Sequence, residues 1–141
     1  MKKNTDELLE ELRQFSDFNR FIERNGQELC ETAPADYLNA LIAEKGLSKA
    51  QVIRDAQLSE VYAYQIFSGV RPRPAREKLL CLAFGMGLNF DETQTLLKKT
   101  GYPTLYAKDP TDCVIIFALM KGYDVVKTNE LLFEYGRETL G

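Results

Sequence analysis

The chemistry open to this chain is that of cations, hydroxyls and amides, because the sequence contains no histidine and no tryptophan. Histidine is the commonest general base, a usual zinc ligand and the usual pH switch, so its absence favours binding over catalysis. Within eight residues lie four cations: Arg71, Arg73, Arg76 and Lys78. Guanidinium and ammonium groups at this density bind anions, phosphates above all. The elements that position these cations therefore decide what the chain can bind.

Cysteine is the remaining residue type with metal-binding or nucleophilic chemistry. Cys30, Cys81 and Cys113 lie 51 and 32 residues apart and form no CxxC pair, so a cysteine metal site is not expected. An odd number of widely spaced cysteines is typical of a reducing cytosol. Apolar sequence neighbours predict that Cys81 and Cys113 are small core residues. We therefore expect no catalytic residue, no metal site and no cofactor.

The net charge of −3 is unevenly distributed along the chain. Residues 1–34 carry a net charge of −3, residues 35–88 carry +2, and residues 89–141 carry −2. The middle segment, which includes the four clustered cations, is the only positive part. A weak basic segment between acidic flanks is the charge pattern that a functional interpretation has to explain.

No signal for secretion or membrane insertion is visible in the sequence. The N-terminus has no apolar segment of the kind that signal peptides carry. The longest apolar run, residues 114–120, is seven residues long, whereas a membrane span needs about 20. The sequence therefore predicts a cytoplasmic protein that does not interact with membranes.

Apolar residues recur at spacings of three and four along most of the chain, which predicts an all-α protein. An N-terminal extension, residues 1–34, holds a first helix capped by Thr5 and a second capped by Ser16 or Asp17. Residues 31–34 are predicted to be a linker. In the extension, the apolar residues of the two helices are Leu8, Leu9, Leu12, Phe18, Phe21, Ile22 and Leu29.

The central segment has regular capping and stop signals. Helices are predicted at 35–45, 49–56, 60–68, 74–86 and 91–100, with Ser48 and Ser59 as N-caps of the second and third. Glycines 46, 69, 87 and 101 end four of the five. Two prolines, Pro72 and Pro74, exclude a continuous helix over 70–74. The sequence predicts a domain at 35–100.

The last third of the chain repeats the part before it. A shift of 35 residues brings eight identical residues into register over about 32 positions, among them Gly87 with Gly122 and Leu105 with Leu140. This pattern predicts two copies of a helical hairpin, the second within a C-terminal hairpin segment, 101–141, packed on the domain. The alternative is that any two hairpins with glycine stops look alike.

Two short helices joined by a three-residue turn are typical of a helix-turn-helix. Residues 46–69, GLSKAQVIRDAQLSEVYAYQIFSG, and 74–88, PAREKLLCLAFGMGL, resemble the XRE or phage-repressor family over residues 35–100. The resemblance implies a five-helix repressor-like domain whose recognition helix, about 59–68, enters the major groove of DNA. The whole chain also resembles bacterial regulators that carry extra helices on both sides of such a domain.

The resemblance also assigns contacts. It implies base contacts from the outward side of the recognition helix, with Ala63 and Ile66 facing inward. It places Lys49 near a phosphate, and it puts Gln65, whose amide pairs with adenine, at a base edge. The four clustered cations would hold the DNA backbone or an adjacent minor groove. Tyr64 would pack on a thymine methyl or bind a phosphate. The full set of expected DNA contacts is Lys49, Ser59, Glu60, Val61, Tyr64, Gln65, Ser68, Arg71, Arg73 and Arg76, with Lys78 beside them.

The chain departs from the family pattern at three places. Gln57 replaces the usual turn glycine, and we expect the turn to adjust instead of keeping a positive φ. Ala63 replaces an isoleucine, so Tyr62 and Phe67 are expected to fill the lost volume. Glu60 puts an anion on a helix, residues 59–68, that has no Lys or Arg. Few phosphate contacts per monomer follow from this composition.

The sequence therefore predicts a sequence-specific DNA-binding transcriptional regulator, bound as a homodimer to double-stranded DNA at a palindromic operator. The flanking helices would supply dimerisation, a signal input or a protein contact. The alternative is a protein-interaction module on the same fold, because Tyr62, Tyr64 and Phe67 also suit a protein surface. Each expected contact has a simpler interpretation too, Ser59 as a helix cap and Arg76 as part of a solvated helix face.

An enzyme is the third possibility and has the least support. Its acidic candidates, Asp91 with Glu92 and Asp109 with Asp112, are explained by helix capping, and Glu130 with Glu134 by a solvated helix face. No glycine-rich phosphate loop precedes a helix in a βαβ context.

Overall fold

The structure, a computed structural model, describes residues 4–14 and 31–141. Every regular element in these residues is an α-helix and no strand occurs among them, which confirms the all-α class. In chain order, the helices are α1 (Thr5–Gln14), α2 (Pro34–Lys45), α3 (Lys49–Asp55), α4 (Glu60–Ser68), α5 (Arg76–Gly85), α6 (Phe90–Lys99), α7 (Pro110–Lys121) and α8 (Val125–Glu134).

Contacts divide the chain into two compact units, Met1–Glu31 and Thr32–Gly141. In the first unit, Asn4 and not Thr5 caps α1: its Oδ1 accepts from the backbone N–H of Glu7 at 2.8 Å, and its Nδ2 donates to the Glu7 carboxylate. Asparagine caps at least as well as threonine, so the helix gains one residue at its start. The predicted helix capped by Ser16 or Asp17 lies outside the described residues.

The second unit begins with α2, which starts at Pro34, one residue earlier than predicted. Proline at the first helical position has the required φ and lacks only an N–H that would have no intrahelical partner, so this residue belongs to the helix and not to the linker. Asn39 joins α2 to the end of α4, because its Nδ2 donates to the Phe67 carbonyl oxygen at 2.8 Å.

Helices α3 and α4 have the predicted serine caps. Ser48 Oγ accepts from the Gln51 N–H at 3.3 Å, and Ser59 Oγ accepts from the Tyr62 N–H at 3.4 Å. The bounds of α4 are those predicted, and α3 ends one residue early. The expectation for the turn was wrong, because Gln57 keeps a φ of +59°. Its side chain donates to the Arg54 carbonyl oxygen at 3.1 Å, which helps to hold this left-handed conformation.

Helix α5 is the centre of the second unit, since residues 79–84 are all buried. It lies against α3, α6 and α8. The helix starts at Arg76, two residues later than predicted, and Pro74 stays outside it. The carbonyl oxygen of Pro74 accepts from the Tyr102 hydroxyl at 2.5 Å, which holds the preceding loop against the body of the unit.

The predicted repeat is confirmed by hydrogen bonds that the sequence identities did not reveal. Gln94 of α6 binds both backbone groups of Leu105, at 2.9 and 2.7 Å. Asn129 of α8, 35 residues after Gln94, binds both backbone groups of Leu140, at 3.3 and 2.7 Å. The same pair of side-chain amide hydrogen bonds, which we call the amide clamp, therefore occurs in both copies at the predicted offset of 35 residues. We call α5–α6 the first hairpin and α7–α8 the second.

The burial of cysteines was predicted correctly at one position and wrongly at another. Cys81 on α5 is fully buried, and burial raises the pKa of its thiol to about 11. Cys113 on α7 is exposed, so the expectation of a core residue was wrong there. Buried Asp112 and Ile116 flank the exposed position, and a helix turns about 100° per residue. Cys113 consequently points away from the core despite its apolar neighbours.

Candidate nucleic-acid interface

The expected contact residues fall into two groups in the structure. Eight of them belong to α3, α4 and the loop after α4, and we call this surface the α3–α4 face: Lys49, Ser59, Glu60, Val61, Tyr64, Gln65, Ser68 and Arg71. The other two, Arg73 and Arg76, bind the segment between the two hairpins.

Helix α4 separates its inward and outward residues as the resemblance implied. Ala63 and Ile66 are fully buried in the core, and Phe67 is buried beside them. Val61 is 71% exposed, and Tyr64 is exposed on the same outer side. Tyr62 is half-buried and packs against the core, in line with the expectation that it and Phe67 fill the space left by Ala63. The outward side of α4 is thus free of any packing role.

Gln65 and Arg71 form one unit at the end of α4. Arg71 Nε donates to Gln65 Oε1 at 2.7 Å, and the guanidinium carbon lies 4.6 Å from the centre of the Tyr62 ring. The backbone repeats this connection, because the Arg71 N–H donates to the Gln65 carbonyl oxygen at 3.1 Å. Ser68 Oγ donates to the same carbonyl oxygen. These contacts fix the orientation of the Gln65 side-chain amide. They leave its Nε2 group to donate to an acceptor outside the chain.

Lys49 lies at the start of α3, with its Nζ 4.9 Å from the centre of the Phe67 ring. This cation–π contact holds the ammonium group beside α4 while the side chain stays half-buried. Glu60 and Tyr64 line a cleft between α3 and α4, together with Arg54, whose guanidinium group donates to Gln51 Oε1 at 2.7 Å. Within residues 49–71, the cations are Lys49, Arg54 and Arg71, and the anions are Asp55 and Glu60.

Arg76 is bound within the chain by four acceptor atoms. Its Nη1 and Nη2 both donate to the Asp112 carboxylate at 3.0 Å. Its Nε donates to the Pro103 carbonyl oxygen at 2.8 Å, and Nη2 donates to the Thr104 carbonyl oxygen at 3.1 Å. Asp112 is buried and also accepts from the Tyr106 N–H at 3.0 Å. This arginine connects α5 to the start of α7.

Arg73 binds the end of the first hairpin. Its Nη1 donates to the Thr100 carbonyl oxygen at 2.5 Å, and its guanidinium carbon lies 4.2 Å from the centre of the Tyr102 ring. Lys78 lies over a different ring, with its Nζ 5.7 Å from the Tyr62 centre. Lys78 Nζ also donates to the Gly141 carbonyl oxygen at 3.0 Å. Of the four cations that cluster in sequence, one therefore lies on the α3–α4 face, two bind the segment between the hairpins, and Lys78 binds the C-terminal residue.

Sequence reasoning missed the acceptors of these arginines. Asp112 is 36 residues from Arg76, and the carbonyl groups that bind Arg73 and Arg76 lie 27 or 28 residues away. No spacing pattern marks contacts of this kind. The only sequence signal for these contacts was Asp112 itself. It is an acidic residue in the first turn of α7, a position that helix capping alone explains.

Within residues 4–14 and 31–141, no group of three or more His, Cys, Asp or Glu side chains is placed to hold a metal ion. None of the helices described here has the length and apolar character needed to cross a membrane. No family model, no curated protein and no solved structure matches the chain.

Proposed function

We propose that this chain is a sequence-specific DNA-binding transcriptional regulator of bacterial type, acting in the cytoplasm, in which α3, the turn and α4 form a helix-turn-helix. The observation that carries the proposal is the outward side of α4, where Gln65 is held by Arg71 next to exposed hydroxyl groups. Helix α4 would lie in the major groove, which admits one α-helix.

The turn between α3 and α4 supports this assignment. Gln57 has a φ of +59°, at the position where the family that the sequence resembles has glycine. A non-glycine residue in this conformation costs about 1 kcal/mol. The turn keeps this conformation despite its cost in free energy. The relative orientation of α3 and α4 is the one that this turn sets.

Base recognition is assigned to Gln65, with Arg71 as its positioning residue. One lone pair of Gln65 Oε1 accepts from Arg71, and the other remains for the adenine N6 group while Nε2 donates to N7. Because Arg71 also carries the charge nearest to Gln65, its loss would reduce both base preference and phosphate attraction. Lys49 has no such contact with Gln65, and its loss would reduce phosphate attraction alone.

The contacts within the chain change which cations we assign to phosphates. Arg73 and Arg76 are assigned to the scaffold, because carbonyl and carboxylate oxygens already accept their hydrogen bonds. Lys49, Arg54 and Arg71 remain for the DNA backbone. Three phosphate contacts give a slope of about −3 in log K against log salt concentration, a weak monomer. Binding as a two-fold dimer at a palindromic operator would double that number.

The proposal is tested by titrating the full chain into fluorescent duplex DNA at about 50 and 200 mM salt. We expect the affinity of one DNA-binding domain to fall about 40-fold between these concentrations, and more for a dimer. Lys49→Ala and Arg71→Ala should each reduce the slope by about 1 per domain. Lys98→Ala on α6, an exposed cation outside the α3–α4 face, is the control and should leave the slope unchanged. Absence of binding at the lower salt by folded protein would contradict the proposal.

A protein-interaction module is the second candidate function. It is favoured by the exposed apolar residues Val61 and Val70 and by Tyr64, which lie on or beside the same face. Aromatic residues on an exposed face are frequent anchors in protein interfaces. A folded chain without affinity for DNA at low salt, in which Tyr64→Ala abolishes binding to a protein partner, would support this candidate instead.

A further inference from the structure

The second hairpin has an apolar face that stays largely exposed among residues 31–141, with Lys121 Nζ over one ring, that of Phe117, at 5.6 Å. Along α7, this face consists of Cys113, Phe117 and Met120, and the last two are 46% and 65% exposed. Tyr135 of α8 is 65% exposed beside them. A groove of about 460 Å³ lies on this face, lined by Pro110, Cys113, Val114, Phe117, Leu131, Tyr135 and Arg137. We call it the α7–α8 face.

The first hairpin shows the same face in a covered form. The residues 35 positions before Cys113, Phe117 and Met120 are Lys78, Leu82 and Gly85. Lys78 Nζ lies over the Tyr62 ring of α4, and Leu82 is fully buried. A Cβ atom on Gly85 would lie 2.4 Å from the Val52 carbonyl oxygen of α3. Helices α3 and α4 therefore pack on the face whose equivalent in the second hairpin is bare.

The α7–α8 face, which is exposed, is also more apolar than the equivalent covered face of the first hairpin. Cysteine, phenylalanine and methionine occupy positions where the first hairpin has lysine, leucine and glycine. A face that met only water would be expected to carry charged or polar residues. Met120 in place of glycine also prevents another helix backbone from approaching α7 as closely as α3 approaches α5. The occupant must pack side chain against side chain.

We propose that the occupant is a second copy of this chain, with its own α7–α8 face packed against the first by two-fold symmetry. In a two-fold contact, if a residue i of one copy contacts a residue j of the other, then residue j of the first copy also contacts residue i of the second. If the two α7 helices run antiparallel and cross at Phe117, the large Met120 lies beside the partner's smaller Cys113. The row formed by Cys113, Phe117 and Met120 is therefore complementary in side-chain size to the same row of the second copy.

Charge supports the antiparallel arrangement. Helix α7 has Asp109 at its N-cap and Lys121 in its last turn. Antiparallel pairing brings the acidic end of one α7 to the side of the basic end of the other, and it also opposes the two helix dipoles favourably. A parallel arrangement would bring like charges together at both ends.

The size of the face indicates a weak dimer. Its exposed side chains present roughly 400 Å² of mostly apolar surface, whereas each partner in a stable complex buries about 800 Å². The surrounding polar residues supply the remainder, as in the rims of other interfaces. We expect dissociation on the order of micromolar concentrations. A gain in DNA affinity from dimerisation rests on the proposed function. Dimerisation itself does not, and it can be measured without DNA.

Sedimentation of the full chain across about 1 to 100 µM tests the proposal in the range expected for an interface of this size. We expect a monomer–dimer equilibrium in the wild type and a monomer in Phe117→Glu, which brings two carboxylates together at the symmetry axis. The control is Phe133→Glu, because Phe133 is also exposed but lies 200° around α8 from Leu131. It should dimerise like the wild type, and circular dichroism should show equal helix content in all three proteins.

A disulfide test keeps the proposal falsifiable if Phe117→Glu does not fold. In a Cys30→Ser background, Met120→Cys introduces a thiol opposite the partner's Cys113. Diamide would accept two electrons and two protons from each thiol pair and so join the two chains. Positions 113 and 120 of one helix are about 10 Å apart, too far for a disulfide within the chain. A wild-type monomer at about 100 µM, or no covalent dimer with diamide, would overturn the proposal.

Discussion

The two hairpins share the side-chain cap of their second helix, their turns and their amide clamps at an offset of 35 residues, but they bury different surfaces. The first hairpin is covered on one side by α3 and on the other by the second hairpin. Among residues 31–141, the second hairpin is covered on one side only. The comparison teaches that a repeated backbone does not determine what each copy contacts. The side chains at equivalent positions, such as Gly85 and Met120, decide it.

The largest expected effect is at the connection between the hairpins. Asp112→Ala should lower the free energy of unfolding by about 3 kcal/mol, because it leaves the guanidinium group of Arg76 partly buried without its carboxylate. Chemical denaturation measures this change. Arg137→Ala is the control, measured in dilute protein because Arg137 also lines the α7–α8 face. Its side chain donates to Thr111 Oγ1 at the exposed edge of α7, so a loss of less than about 0.5 kcal/mol is expected. Equal losses in the two variants would show that the Arg76–Asp112 pair does not hold the hairpins together.

Equivalent positions on α5 and α7 should respond very differently to truncation. Leu82→Ala should cost about 3 kcal/mol, because Leu82 is fully buried and its removal leaves a cavity. Phe117→Ala should cost less, about 1 to 2 kcal/mol when measured below the concentration of dimerisation, because nearly half of the side chain is already in water and the remainder packs beside Tyr123. Thermal unfolding of dilute protein gives both values. A loss at Phe117 as large as at Leu82 would mean that the second face is covered within one chain.

The amide clamps provide a comparison in which the hairpins should behave alike. Gln94→Ala leaves the backbone N–H and carbonyl groups of Leu105 without their partner. Asn129→Ala does the same to the backbone groups of Leu140. Each should lower the free energy of unfolding by about 1 to 2 kcal/mol. Urea denaturation checks whether the values agree within error. A loss at Gln94 alone would show that only the first clamp contributes to stability.

The smallest expected effect is at the turn outside both hairpins. Gln57→Gly should raise the free energy of unfolding by about 0.5 to 1 kcal/mol, because glycine adopts a positive φ without steric cost. The gain is reduced by the lost hydrogen bond to the Arg54 carbonyl oxygen and by the greater freedom of glycine in the unfolded chain. The temperature of half-unfolding measures the effect. Destabilisation by more than 1 kcal/mol would mean that the Gln57 side chain, and not the backbone, holds the turn.

Local signals predicted much of the fold. Serine caps and glycine stops defined α4 to the residue, because these signals act within one turn of a helix. The outward side of α7 was not predictable, because the seven consecutive apolar residues 114–120 have no helical periodicity. The roles of Arg73 and Arg76 were also hidden. Their acceptors lie 27 to 36 residues away and come together only when the hairpins pack.

The most direct test of the central claim, DNA recognition by α4, is selection of bound sites from random duplexes by the wild type and by Gln65→Ala. The account predicts an inverted repeat for the wild type, one half-site for each copy of the chain. It predicts that Gln65→Ala loses preference at one base pair in each half-site and keeps the others. No enriched sequence, or identical enriched sequences for the two proteins, would contradict the account.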